Sequence, residues 1–222
     1  MSADVTRVQT PGRATGVRID SVVTAGTFSL DGGTWDVENN VYVIGDDHEC
    51  LVIDAAHDAG PILQAVAGRT VTAILLTHGH DDHIGAVREL KEATGAPVHL
   101  HPDDYFLYER VFADPPDTAL AESDTFVVGE TDVRVLHTPG HAPGACCFYV
   151  PGLAALFSGD TLFAGGPGAT GRSFSDFDTI IDSISNKLLT LPSETLVLTG
   201  HGDTTTIGKE APHRQEWIDR GH

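Results

Sequence analysis

The segment Thr77-His78-Gly79-His80-Asp81-Asp82-His83 carries three imidazoles and two carboxylates on consecutive short spacings. Neutral imidazole and carboxylate are the donors that Zn²⁺ and Fe²⁺ accept most readily. If this segment is a tight turn after a strand, His78 and His80 project to one side and can share one ion. Asp82 and His83, opening a helix, can turn toward a second. Gly79 lets the backbone bend between the two rings. These four ligands are too few for two ions, so the rest must come from elsewhere. Three later positions have the same local grammar, in which an apolar run ends in a turn containing Gly and one polar side chain. They are Thr138-Pro139-Gly140-His141, Phe157-Ser158-Gly159-Asp160 and Leu198-Thr199-Gly200-His201. Each is weak alone, because His or Asp at a strand end is commonly a turn residue or a helix cap. Together, following the dense motif, they can complete a two-metal site.

The elements that must position these residues follow from periodicity. Val71–Leu76 is an apolar run that feeds His78, and Ile84, Val87 and Leu90 mark a helical face ending near Gly95. Val17–Thr24 alternates like a half-buried strand. Asn40–Gly45 and Glu49–Ile53 pair as strands about an Asp46-Asp47-His48 turn. Pro61–Gly68 predicts a short helix, Pro97–Leu100 a strand and Asp103–Phe112 a helix. Phe126–Val128, Asp132–Leu136, Ala145–Val150, Ala154–Phe157 and Thr195–Leu198 read as strands. Phe177, Ile180, Ile181, Ile184 and Leu188 give a helix that stops before Pro192. Strand runs interleaved with helices in each half predict an α/β fold of two sheets flanked by helices.

No repeat or long linker interrupts the chain, so residues 1–222 are expected to form one domain, with 1–15 as a loose N-terminal arm. A formal charge of −19, from 32 acidic and 13 basic residues, disfavours nucleic-acid and anionic-membrane partners. No apolar stretch is long enough to span a bilayer and no basic-then-apolar leader opens the chain, which makes the cytoplasm the expected location. Cys50, Cys146 and Cys147 do not form a disulfide framework. Buried free thiols are expected, with Cys146 and Cys147 on opposite faces of a strand. His48, His57, His213 and His222 are expected at the surface, and His99, His101 and His137 in structural roles.

His78-x-His80-x-Asp82-His83, then His141, Asp160 and His201 in this order, resembles the metallo-β-lactamase superfamily. Within it the chain is similar to glyoxalase II-like, hydroxyacylglutathione hydrolase-related metallohydrolases over roughly residues 20–210. The resemblance implies an αββα sandwich of two mixed sheets, with the site at one edge. It also implies two divalent ions, zinc in the first instance, with iron or a mixed pair as alternatives. By position, His78, His80 and His141 would hold the first ion and Asp82, His83 and His201 the second. Asp160 would bridge them, making Asp82 and Asp160 the candidate catalytic residues. Asp54 matches a family Asp that orients the metal-binding turn.

Two ions close together can share one water and lower its pKa toward neutrality. The leading expectation from the resemblance is therefore hydrolysis of S-acyl thiol conjugates by a hydroxide shared between the ions. The partner would be a small acyl-thiol molecule; the sequence leaves the oligomeric state open. Arg172, at the end of Gly165-Gly166-Pro167-Gly168-Ala169-Thr170-Gly171, and Lys209 are candidate contacts for a substrate anion. Relatives of this subgroup usually carry a shorter Gly-Cys/Val-Gly-Arg sequence here. The larger ones add a C-terminal helical extension, whereas this chain ends soon after His201. Both departures weigh against glutathione specifically. A mononuclear-iron persulfide dioxygenase, using His78, His141 and Asp160, is the main alternative, followed by a lactonase or β-lactamase-like hydrolase.

Overall fold

The computed structural model describes residues 4–13 and 16–221; His222 lies outside them. Two sheets pack face to face. The first holds β1 (Thr6–Arg7), β2 (Arg18–Leu30), β3 (Gly33–Gly45), β4 (Glu49–Ile53), β5 (Thr70–Leu75), β6 (Val98–Leu100) and β7 (Thr118–Ala119), in that spatial order. The second contains β8 (Thr125–Val128), β9 (Thr131–His137), β10 (Cys146–Val150), β11 (Ala155–Gly159), β14 (Leu196–Thr199) and β15 (Thr205–Thr206), ordered β15-β14-β11-β10-β9-β8. A separate two-stranded ribbon, β12 (Leu162–Phe163) with β13 (Gly166–Pro167), follows β11. Both large sheets are mixed: β4 to β7 pair in parallel, as do β11 and β14, and the remaining neighbours are antiparallel.

Alternation on the strands explains why the sheets stack. Ile19, Ile44, Leu51, Ile53 and Leu75 from one sheet meet Val133, Val135, Phe148, Phe157 and Leu198 from the other, giving the central apolar layer. The opposite face of the first sheet packs on α1 (Ala59–Val66) and α3 (Val87–Thr94) through Val43, Val52, Ile62, Ile74, Val87 and Leu90. That of the second packs on α5 (Phe177–Ser183) and α7 (Arg214–Arg220) through Leu156, Ile180, Val197 and Trp217. The result is the expected αββα sandwich. Cys146 belongs to the central layer and Cys147 to the helix-covered one, and all three cysteines are unpaired and buried, as expected.

Several elements differ from their predicted form. The segment expected as a loose arm pairs Thr6 with Ser21 and Arg7 with Asp20, and the Gly12 N–H donates to the Leu153 carbonyl at 2.9 Å. The helix predicted through Ile84 and Leu90 is broken into α2 (Asp81–Ile84) and α3, because the Ala86 N–H donates to the Ala55 carbonyl instead of back along the helix. The helix predicted over Asp103–Phe112 is a 3₁₀ turn, Pro102–Asp104, followed by the short α4 (Tyr105–Tyr108). The largest difference is in β2 and β3. Alternation predicted strands over Val17–Thr24 and Asn40–Gly45, yet both run for 13 residues and join in a hairpin far beyond the core.

Candidate metal centre

β9, β11 and β14 run in the same direction, so their C-terminal ends share one edge of the second sheet. The end of β5 is brought to that edge by the Cys146 N–H, which donates to the Thr77 carbonyl at 2.7 Å. Four strand ends therefore deliver His78–His83, His141, Asp160 and His201 to one place. All seven side chains are buried or largely buried there.

They form two clusters with a carboxylate between them. In the first, His78, His80 and His141 converge, with His141 Nε2 3.1 Å from His80 Nδ1. In the second, His83 Nε2 is 3.2 Å from His201 Nε2, and Asp82 Oδ2 is 3.5 and 3.3 Å from those two nitrogens. Asp160 reaches both: its Oδ2 lies 3.6 Å from His141 Nε2 and 3.4 Å from His201 Nε2, and its Oδ1 3.4 Å from His83 Nε2. Tetrahedral donors at zinc distances stand roughly 3.3 Å apart, which is the spacing found.

Tautomers follow from the outer hydrogen bonds. His83 Nδ1 faces Asp54 Oδ2 at 2.9 Å, His201 Nδ1 the Glu38 carbonyl at 2.7 Å, and His141 Nδ1 the Ala169 carbonyl at 2.9 Å. Each acceptor requires Nδ1–H, so in the neutral rings the Nε2 lone pairs point inward. The Thr77 hydroxyl donates to Asp54 Oδ2 at 2.9 Å and so accepts from His78 Nδ1 at 3.0 Å. That leaves His78 Nε2 bare; it, His80 Nε2 and Asp160 Oδ1 are buried without a hydrogen-bond partner. Converging lone pairs repel one another, and orphaned buried polar atoms are costly, unless a cation or proton sits among them. The donor set thus fits divalent metal ions.

Burial, reinforced by the neighbouring imidazoles, pushes His78 well below the usual imidazole value and His80 to about 3, so both are held neutral and ready to ligate. At the second cluster burial opposes the charged form, but the carboxylates win. Asp82, Asp160 and Asp54 hold His83 well above its ordinary value, and Asp160 and Asp82 raise His201 to about 10. Reciprocally, and against the burial penalty, these imidazoles keep Asp82 at about 2 and Asp160 well below the usual carboxylate range.

A family model described as the metallo-beta-lactamase superfamily matches residues 34–201. The chain belongs to that superfamily. Hydroxyacylglutathione hydrolase GloC of Haemophilus influenzae is 34% identical over 190 residues, covering 78% of this chain and 90% of that one. Among solved structures, the B3 metallo-beta-lactamase BLEG-1 superposes with a TM-score of 0.74 at 34% identity, covering 86% of this chain and 98% of its own. TTHA1623 in a di-iron-bound form gives 0.70 at 36% identity, covering 85% and 96%. Fold and histidine–aspartate clusters together imply divalent ions.

Several supporting residues of this superfamily member escaped sequence reasoning. Asn39 donates to Asp82 Oδ2 at 3.0 Å and its Oδ1 meets His57 Nε2 at 2.7 Å. His57, expected at the surface, is half-buried in a left-handed turn (φ 55°) and lies against Gly26. Asp104 is fully buried and accepts from the Gly79 N–H at 2.9 Å and the Gly144 N–H at 2.6 Å, joining the His78–His80 turn to the loop that carries His141. Gly79 is needed for that approach rather than for a bend: a Cβ there would sit 2.8 Å from the Asp104 carbonyl oxygen. Asp54, singled out from the sequence, accepts from the Thr77 N–H at 2.8 Å, from the Thr77 hydroxyl and from His83. Neither Asn39 nor Asp104 has a local motif; only their partners mark them.

Arg172 lies at the mouth of a cavity of about 240 Å³ over the clusters, together with Phe28, Leu30, Trp35 and Val37. Lys209 is exposed in α6 (Ile207–Glu210) and does not line that cavity. His48 and His213 are exposed, and His99 is half-buried against Phe126. His101 and His137 stack at 3.9 Å near Asp103, in a grouping separate from the seven.

Proposed function

We propose that residues 1–222 form one metallo-β-lactamase-like domain acting as a thioesterase on S-acyl thiol conjugates. His78, His80 and His141 would hold one divalent ion and Asp82, His83 and His201 a second, with Asp160 between them and zinc as the expected metal. The observation that carries this reading is the inward convergence of the two clusters on Asp160, 3.4–3.6 Å from both. Such ions supply a water of lowered pKa and a positive charge for the developing oxyanion.

The chain's own groups do the rest. Asp82 and Asp160, kept ionised by their imidazole neighbours, accept hydrogen bonds from the attacking water and fix its direction. Its oxygen bonds to the acyl carbon, the carbon–sulfur bond breaks, and the thiol departs with a proton from the water. Asp54, Asn39 and Thr77 hold the imidazoles and Asp82 in the tautomers and rotamers this requires. Arg172 stands at the mouth to meet an anionic group of the carrier. The choice of thioesters rests on the likeness to GloC. A small-molecule enzyme of the cytoplasm agrees with three unpaired cysteines and with the absence, among the described residues, of a helix able to cross a membrane.

The di-iron-bound neighbour keeps iron as an alternative metal; a mononuclear-iron persulfide dioxygenase using His78, His141 and Asp160 is the second reading, and the likeness to BLEG-1 keeps a lactam- or lactone-cleaving enzyme as the third. Metal analysis of protein purified without added metal, followed by a panel of thioesters, lactones and persulfides with oxygen monitoring, tests all three. Two metals per chain and thioester turnover are expected. One iron with oxygen uptake on a persulfide, or turnover confined to lactones or lactams, would overturn the reading.

A further inference from the structure

The distal half of the β2–β3 hairpin is amphipathic without a core to face. Thr27, Ser29, Thr34 and Asp36 occupy one side, and Phe28, Leu30, Trp35 and Val37 the other. Phe28 is directly opposite Trp35 across the ribbon, with ring centroids 5.9 Å apart. This apolar side forms one wall of the cavity above His80, Asp82, Asp160 and His201. The wall begins at the centre itself, since the Phe28 ring is 5.2 Å from that of His80. Asn39, two pleats further along the same side of β3 than Trp35, is the residue that holds Asp82. One strand face thus carries both the support of the metal centre and the apolar wall.

Hydrogen-bonding groups are scarce on that wall. The four hairpin side chains offer only the Trp35 indole N–H. Opposite them, the Ser175 hydroxyl is already engaged, accepting from the Gly171 N–H at 2.9 Å and donating to the Arg172 carbonyl at 2.7 Å. The charge of Arg172 lies against the aromatic part of this wall, 5.7 Å from the Phe28 ring centroid. The Arg172 guanidinium lies 3.8 Å from the Trp35 ring centroid, and Arg110 lies over the exposed Phe106 and Phe174 rings, 5.9 and 5.1 Å from their centroids. Arg172 lines this cavity, and Arg110 lines an adjoining one that shares Leu30 and His80 with it.

We propose that the substrate is a thioester whose acyl group is apolar and longer than a two- or three-carbon hydroxyacyl unit, bound against Phe28, Leu30, Trp35 and Val37. This rests on the thioesterase reading above. The carbonyl carbon must sit against the clusters, so the acyl body attached to it is the part that meets the neighbouring wall. The carrier, a polar thiol, leads toward Arg172. A hydroxyl on the acyl group would lose water beside Phe28, Leu30, Trp35 and Val37, none of whose side chains accepts a hydrogen bond, whereas each methylene placed there leaves water.

The test uses metal-loaded protein and acyl thioesters of one neutral carrier, N-acetylcysteamine, with acetyl, butyryl, isobutyryl, hexanoyl and lactoyl groups. The expected kcat/KM rises about fourfold per buried methylene, and lactoyl falls at least about fivefold below its near-isostere isobutyryl. Trp35→Ala should reduce the rise to less than about twofold per methylene with metal content unchanged, and Trp35→Phe should restore most of it. Hydrolysis with a flat profile, a preference for lactoyl, or a slope indifferent to Trp35→Ala would overturn this inference and leave the thioesterase reading standing. No hydrolysis of any thioester by fully loaded protein would overturn both.

Discussion

The metal centre and the β2–β3 ribbon form adjoining walls of one cavity and are built in opposite ways. The centre is over-determined. Five of the seven candidate ligands are fixed by a residue outside the set, and three of those supports by a further one, as in the chain Thr77–Asp54–His83. The ribbon has few such ties: its tip is held by Asp31, which accepts from the Ser173 N–H at 3.0 Å, and by the stacking of Arg172 on Trp35. Trp35 is 39% exposed, whereas His78 and His83 are 1% and 0% exposed. Chemistry that must keep several lone pairs aimed at one point needs rigid supports. Recognition of an apolar group needs area and the right polarity, which a ribbon with alternating side chains supplies without a core.

Perturbing the two regions should separate these roles. Asp160→Ala is expected to have the largest effect, because it removes the carboxylate shared by both clusters. Metal content should fall below two per chain and turnover on the order of 10³-fold; full activity with two bound metals would refute the bridging role. Support residues come next. Asn39→Ala and Asp54→Asn should each weaken metal binding about 10–100-fold, measured by competition with a chromogenic chelator, with folding retained.

Protonation gives a graded test of the same region. In the metal-free protein, carboxylates hold protons on His83 and on His201, the latter up to about 10. Metal binding must displace them, so apparent affinity should climb with pH across the neutral range, tenfold per unit for each proton released. A flat profile would contradict the assignment of those rings.

Asp104 should show the opposite sense in stability. Burial raises its carboxyl from 3.8 to about 6, against the lowering effect of the Gly144 and Gly79 N–H bonds. The folded state therefore binds its proton more tightly than the unfolded state does. Its favourable contribution is complete below pH 4 and is lost as pH rises through 6, a swing of about 3 kcal/mol. Urea titrations of the parent against Asp104→Asn should reveal that swing as a pH-dependent difference between the two. At the small end, Trp35→Ala should leave metal content intact and change stability by less than about 0.5 kcal/mol; a large loss of either would mean that the ribbon supports the centre.

Legibility in the sequence divides along the same line. The candidate ligands were readable because ligation needs particular side chains, and His78, His80, Asp82 and His83 fall within one short segment. The central strands were readable because inward positions such as Leu51, Ile53, Phe148 and Phe157 alternate or run together as buried strands must. The ribbon was not: strands were predicted only over Val17–Thr24 and Asn40–Gly45, and its pairing is satisfied between its own strands rather than by a buried face. Nor could α7 be anticipated, whose Trp217 is 1% exposed beneath the second sheet although its neighbours are polar.

The sequence by itself determined the seven candidate ligands, their order, the strands that end beside them and the family they mark. Only the tertiary structure decided that Asp160 stands between two clusters, that Asn39 and Asp104 hold them, and that an apolar ribbon overhangs them. The reason is physical. A ligand is specified by its own chemistry and near neighbours, whereas a supporting carboxamide or carboxylate is specified by a partner 25 to 43 positions away. Nothing local to Asn39 or Asp104 distinguishes either from a solvated surface residue until the fold brings that partner within hydrogen-bonding distance.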